Sequence, residues 1–177
     1  MNTVNQIPFG RPLITDEDKE AVMDVLNGHI LTHGPQGKGF EEEFARFVGG
    51  GFAVALSSCT AALHLAYFQM GIGPGDEVIV PAQTHNATAH AVELVGAKPV
   101  FVDCDPYTGN IDTSLIEPAI TSNTRAISIV HFVGIPCDMD KVMGIARGYN
   151  LTVVEDCALA LGATYNGQHV GLIGDAG

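Results

Sequence analysis

Leu151-Thr152-Val153-Val154-Glu155-Asp156-Cys157-Ala158 decides the fold. Four apolar or β-branched residues run without alternation into two carboxylates. Such a run reads as a strand covered on both faces, the pattern of a parallel sheet. A carboxylate at the C-terminal end of that strand stands where open α/β sheets keep their ligand chemistry. Similar runs precede it at comparable intervals: Ala53 to Leu56, Glu77 to Val80, Pro99 to Val102 and Ala126 to Val130. Helical spacing fills most of the gaps. Leu63, Ala66, Tyr67 and Met70 recur at i, i+3, i+4 and i+7, and Val92, Leu94 and Val95 follow a similar stretch. Ile116, Ala119 and Ile120 follow the capping sequence Asp112-Thr113-Ser114, and Met139, Val142, Met143 and Ile145 follow Cys137-Asp138. Alternation of this kind predicts an α/β fold of three layers, α/β/α, around a mainly parallel sheet of five strands.

Two further helical patterns, Asp16 to Leu26 and Phe40 to Phe47, come before the first strand. Between them Thr32-His33-Gly34-Pro35-Gln36-Gly37-Lys38-Gly39 reads as a loop that is mobile or shaped by a partner.

Composition narrows the function. With 177 residues, 46% hydrophobic and 16% charged, the chain has material for one sizeable core and is not a disordered one. A formal net charge of -12 argues against a nucleic-acid partner, which needs a basic face. It leaves room for a small anion, because helix N-termini and backbone amides bind phosphate without net positive charge. No apolar run approaches a membrane span, so no membrane partner is expected. Met1-Asn2-Thr3-Val4-Asn5-Gln6 lacks the basic and apolar regions of a signal peptide, which makes a cytoplasmic protein the expectation. Cys59, Cys104, Cys137 and Cys157 form no C-x-x-C pair, so they read as reduced thiols and not as a zinc or dithiol site. His85 and His90 have no acidic third ligand nearby, and no metal is expected.

Several segments carry two readings. Ser57-Ser58-Cys59-Thr60-Ala61-Ala62 joins the first run to a helix and suits either phosphate binding or an ordinary cap. Gly71-Ile72-Gly73-Pro74-Gly75-Asp76 looks like a dinucleotide fingerprint, but it follows a helix and precedes a strand, so it reads as a C-cap and turn. Thr84-His85-Asn86-Ala87-Thr88 puts an imidazole after the second strand, where it could stack on a flat cofactor or merely cap a helix. Asp103-Cys104-Asp105-Pro106 could offer an acid/base pair, although turn formation explains it more simply. His131 ends the fourth run with no role that can be read. Asp156 either caps the next helix or pairs with the ring nitrogen of pyridoxal 5'-phosphate (PLP), where a carboxylate favours the charged pyridinium.

Taken in order, these segments resemble the N-terminal half of the DegT/StrS-type sugar aminotransferases, PLP enzymes of fold type I. The resemblance covers Gly37 to Phe44, Ser58 to Ala66, Gly71 to Pro81, Thr84 to Thr88 and Gly96 to Asp103. It continues through Arg125 to Ile127, His131 to Asp140 and Glu155 to Gly174. It implies an incomplete aspartate-aminotransferase-like large domain: residues 1–50 as a helical segment with an active-site loop, and 51–177 as the partial PLP-binding domain. It implies Cys59 and Thr60 at the cofactor phosphate, His85 stacked on the ring and Asp156 as the catalytic pyridinium partner. Such enzymes move an amino group from glutamate or glutamine to a nucleotide-linked keto sugar, usually as homodimers with shared sites.

Two departures stand out. Leu159 replaces a polar residue near the cofactor's phenolic oxygen. None of Lys19, Lys38, Lys98 and Lys141 matches the family's Schiff-base lysine, so the chain alone is expected to be inactive. A PLP-dependent sugar dehydratase of the same fold, and a non-catalytic truncated binding or assembly module, are the alternatives.

Overall fold

The computed structural model describes residues 10–177. The stretch Met1 to Gln6, on which the signal-peptide expectation rests, lies outside them. The chain divides into two compact units, one ending at Phe40 and one spanning Glu41–Gly177.

In the first unit, Asp16–Asn27 form helix α1. Thr15 and Asp18 close a capping box, satisfying two N–H groups that the first turn leaves without partners. Helix α2, Pro35–Val48, whose residues from Glu41 on belong to the second unit, starts five residues earlier than its apolar pattern suggests. Pro35 to Gly39, expected as loop, makes its opening turns. Proline is well suited to a first helical position because its fixed φ is already helical and its missing N–H is not needed there. Neither α1 nor α2 buries a residue.

The second unit holds the core. Helix α3 (Cys59–Gln69) leads through the Gly71 turn into strand β1 (Glu77–Pro81), and helix α4 (Asn86–Leu94) crosses over to β2 (Lys98–Val102). Strand β3 (Thr124–Val130), helix α5 (Met139–Tyr149) and strand β4 (Thr152–Asp156) follow. The sheet order is β2-β1-β3-β4, all parallel. Every residue of β1 is buried, as the unbroken apolar run requires of a strand covered on both faces. One face packs Val78, Val80, Ala126 and Val154 against Leu63, Tyr67, Ala89 and Val92 of α3 and α4. The other packs Ile79, Ile127, Ile129 and Val153 against Met139, Val142 and Ala146 of α5.

Two expectations need correction. Ala53 to Leu56 is not a strand: the segment is irregular, with Val54 and Leu56 exposed. Its sequence has strand character, but a strand needs a hydrogen-bonded neighbour, and none pairs with it among the described residues. The sheet therefore has four strands. Ile116, Ala119 and Ile120 are not in an α-helix: two short 3-10 turns form there, Thr113–Leu115 and Glu117–Ala119, with Ile116 between them and Ile120 capping the second. Asp112 caps the first as expected, but Pro118 has no N–H with which to continue an α-helix.

Beyond β4 the chain forms a small hairpin, β5 (Thr164–Tyr165) with β6 (Gln168–His169), turned by Asn166-Gly167. Both turn residues have positive φ, as a tight type I′ hairpin demands. The chain then returns beside β4, where Glu155 N donates to Ala176 O at 2.8 Å. No helix among the described residues is long and apolar enough to cross a membrane.

Candidate functional site

The strand order reverses between β1 and β3, and the C-terminal ends of β1, β3 and β4 share one edge of the sheet. Alternation along β4 sends Val154 and Asp156 to the α3/α4 face, and Val153 and Glu155 to the other. The two neighbouring carboxylates therefore meet different surroundings.

Asp156 is 6% exposed and accepts hydrogen bonds on both oxygens. Thr88 Oγ1 donates to Oδ2 at 2.9 Å, and Ala158 N donates to Oδ1 at 3.1 Å. The Cys59 thiol, at the first position of α3, lies 3.5 Å from Oδ1. Partial burial, and after it the negative charge of Asp156, push that thiol up to about 11. Cys59 is thus a neutral donor near neutral pH and not a nucleophile.

Ser58 caps α3 by accepting from Ala61 N at 3.1 Å. The first-turn N–H groups of Cys59 and Thr60 have no intrahelical acceptor, the arrangement that makes helix N-termini receptive to anions. His85 is exposed and caps α4, its Nδ1 accepting from Ala87 N at 3.2 Å. The capping reading of His85 holds; stacking is a geometric opportunity beside it. Thr84 Oγ1 lies 3.0 Å from Thr88 Oγ1. Thr88 ends the His85 segment, and sequence reasoning gives it no role of its own. The one available signal is its place three and four residues before Ala91 and Val92, which puts its hydroxyl on the buried face of α4.

On the opposite face Glu155 is 1% exposed and fully engaged. Its Oε2 faces His131 Nε2 at 2.9 Å and accepts from Gly171 N at 2.9 Å. Its Oε1 accepts from Ile173 N at 2.8 Å and Gly174 N at 2.6 Å. Burial alone would raise this carboxyl, but the bonds from His131, Gly174, Gly171 and Ile173 outweigh it and hold it below the usual range. His131 Nδ1 accepts from Cys137 N at 3.0 Å, so its Nε2 carries the proton toward Glu155. His131, Glu155 and Cys157 offer ligand atoms within 4.8 Å of one another. A metal there would have to break the His131–Glu155 bond, so the trio is a structural anchor.

Asp103 and Asp105 serve turns, in keeping with the simpler of their two readings. Asp105 Oδ1 accepts from Tyr107 N, Thr108 N and Thr108 Oγ1. Leu159 is exposed. All four cysteines are free.

Asp156 and the start of α3 have separate chemistries. Asp156 offers a fixed carboxylate acceptor, and the start of α3 offers backbone donors suited to an anion. Neither lysine of this unit lies beside them. Lys98 opens β2, at the opposite edge of the sheet, and pairs with Glu77 at 2.9 Å. Lys141 is held by Asp138 at 2.7 Å in the first turn of α5.

The sequence profile of the DegT/DnrJ/EryC1/StrS aminotransferase family matches residues 12–177. The spore coat polysaccharide biosynthesis protein SpsC of Bacillus subtilis is 46% identical over 170 residues, 96% of this chain and 44% of its own length. The UDP-4-amino-4-deoxy-L-arabinose--oxoglutarate aminotransferase of Shewanella sediminis is 44% identical over 168 residues, 95% of this chain and 43% of that protein. Among solved structures, the PLP form of Spr1654 from Streptococcus pneumoniae superposes with a TM-score of 0.90 at 38% identity, covering 96% of this chain and 47% of its own. The chain spans less than half the length of these relatives. Its structural neighbours are PLP-dependent aminotransferases of fold type I.

Proposed function

Because the chain belongs to the DegT/DnrJ/EryC1/StrS family of sugar aminotransferases, we propose that the whole protein moves an amino group from glutamate or glutamine to a nucleotide-linked keto sugar, with PLP as cofactor. The observation that carries this reading is Asp156: a nearly buried carboxylate at a strand's C-terminal end, fixed on both oxygens. When bound, PLP would supply an electron sink for the substrate carbanion. Asp156 would hold the proton on the ring nitrogen, and the backbone N–H groups of Cys59 and Thr60 would hold the phosphate. His85 would cover one face of the ring. The pyridinium needs a negative partner in a site that excludes water, and Asp156 meets that need. Assembly as a homodimer or larger oligomer belongs to the same proposal. It is supported by exposed Val22, Met23 and Leu26 on α1, an apolar stripe left uncovered among the described residues.

Pyridoxamine phosphate (PMP) needs no lysine to bind, so this chain can be tested with it directly. Fluorescence titration is expected to show saturable uptake that inorganic phosphate competes away. Failure to take up PMP overturns the cofactor reading. In the whole protein, Asp156→Asn is expected to slow the half-reaction with the amino donor by about 100-fold or more. A mutant that binds the cofactor and turns over at the wild-type rate in single-turnover experiments would remove Asp156 from its role.

A further inference from the structure

We propose that Thr88 is a positioning residue for Asp156, and that its hydroxyl is itself oriented by Thr84. The inference rests on the cofactor reading above. Thr88 is fully buried, and its single hydroxyl proton has two candidate acceptors: Asp156 Oδ2 at 2.9 Å and Thr84 Oγ1 at 3.0 Å. A carboxylate can only accept. Thr88 therefore donates to Asp156 and must accept from Thr84, which gives the chain of hydroxyls one direction, from Thr84 through Thr88 to the carboxylate. The two threonines are four residues apart, with Thr84 just before α4 and Thr88 in its first turn. The start of α4 thus sets the direction from which Asp156 is held.

The second oxygen is fixed from the turn after β4 and from α3, by Ala158 N and the Cys59 thiol. With both oxygens tied, the carboxylate cannot rotate about its last bond. The lone pair it offers to a ring N–H then points in one direction before any ligand arrives, which removes an ordering cost from binding. The ionisable neighbours do not blur this picture. Cys59 is pushed up to about 11. Burial, with Asp156 adding, raises Tyr67 on α3, and burial with Glu155 and Asp156 raises Cys157. These three stay neutral near neutral pH, and Asp156 supplies the charge.

The test uses this chain, PMP labelled with 15N at the ring nitrogen, and a fixed pH of about 7.5, well above the carboxylate range. The 15N chemical shift separates a protonated ring nitrogen from a bare one. Wild type is expected to bind PMP with the ring nitrogen protonated. Thr88→Val is expected to weaken binding about ten-fold, the weight of one hydrogen bond to a charged group, and to move the 15N shift toward the unprotonated value. Thr88→Ser keeps the hydroxyl and is expected to restore both. Thr84→Ala leaves the buried position intact and is expected to shift both readouts in the same direction by less, so it decides the matter if Thr88→Val does not fold. Binding and 15N shift unchanged in Thr88→Val, or in Thr84→Ala should the first variant be unfolded, overturn the positioning role while leaving the cofactor reading standing. A wild-type chain that takes up no PMP overturns the cofactor reading itself and this inference with it.

Discussion

Glu155 and Asp156 are adjacent on one strand, yet one locks the fold and the other is held for a ligand. The pleat of β4 turns them to opposite faces. Glu155 meets His131 and three backbone N–H groups of the returning loop, which leave its oxygens saturated. Asp156 meets one N–H, one hydroxyl and a thiol, and lies at the sheet edge beside the N-terminus of α3. The difference teaches that burial and charge do not by themselves mark a functional carboxylate. What matters is whether the partners exhaust its acceptor capacity and whether they come from elements that flank a ligand crevice.

Removing Glu155 should give the largest effect on stability. Glu155→Gln replaces an acceptor oxygen with a donor NH2 that must face backbone N–H groups, and is expected to cost about 3 kcal/mol in urea unfolding. The pH dependence has a definite sign. The folded carboxyl lies below its ordinary value of 4.5, so the stability from its bonds is complete above that value and lost as pH falls through the lower folded one. The gap between wild type and Glu155→Gln should therefore be widest near neutrality and close in acid. A gap that stays constant as the solution is acidified to about pH 3 would refute the anchoring role.

Gly174→Ala probes the same face from the loop. A Cβ there would lie 2.7 Å from Val153 O and 3.2 Å from Val153 Cγ1, so the loop must retreat from β4. The expected loss is about 1–3 kcal/mol. Because Gly174 N donates to Glu155, combining Gly174→Ala with Glu155→Gln should cost less than the sum of the two. Additive losses in urea unfolding would show that the two do not act as a unit.

Much of this contrast is legible in the sequence, but not all of it. Four apolar runs are strands because each has a parallel neighbour, and Asp156 stands out because the apolar run before it fixes where the strand ends. Ala53 to Leu56 looks the same locally, and only the absence of a pairing neighbour separates it from the others. The partnership of Glu155 with His131 joins residues 24 apart on neighbouring elements, which no local pattern encodes. Thr88 is hidden for the same reason: its bond to Asp156 spans 68 residues. Nothing local in the sequence singles out Gly174, yet Val153 O leaves no room there for a Cβ.

The smallest effects on stability should come from the Asp156 side. Asp156→Asn keeps the shape and one acceptor oxygen, so its cost in stability is expected to be about 1 kcal/mol or less. Its clearer signature is electrostatic, and the cysteines report it. Cys59 is pushed up to about 11 by burial and then by Asp156, whereas Cys137 is pushed up to about 12 by burial and then by Glu155. Cys59 therefore reports on Asp156 and Cys137 on Glu155, whereas Cys157 feels both. Removing the Asp156 charge should lower the pKa of Cys59 and so raise the small fraction of thiolate present at about pH 8.5. Alkylation of Cys59 by iodoacetamide, resolved by peptide mass spectrometry, is expected to quicken several-fold in Asp156→Asn while Cys137 stays as slow as in wild type. Equal acceleration at both thiols would mean that the substitution had loosened the fold. No acceleration at Cys59 would mean that the charge of Asp156 does not reach the start of α3, and the two faces of β4 would then differ less than their hydrogen bonds suggest.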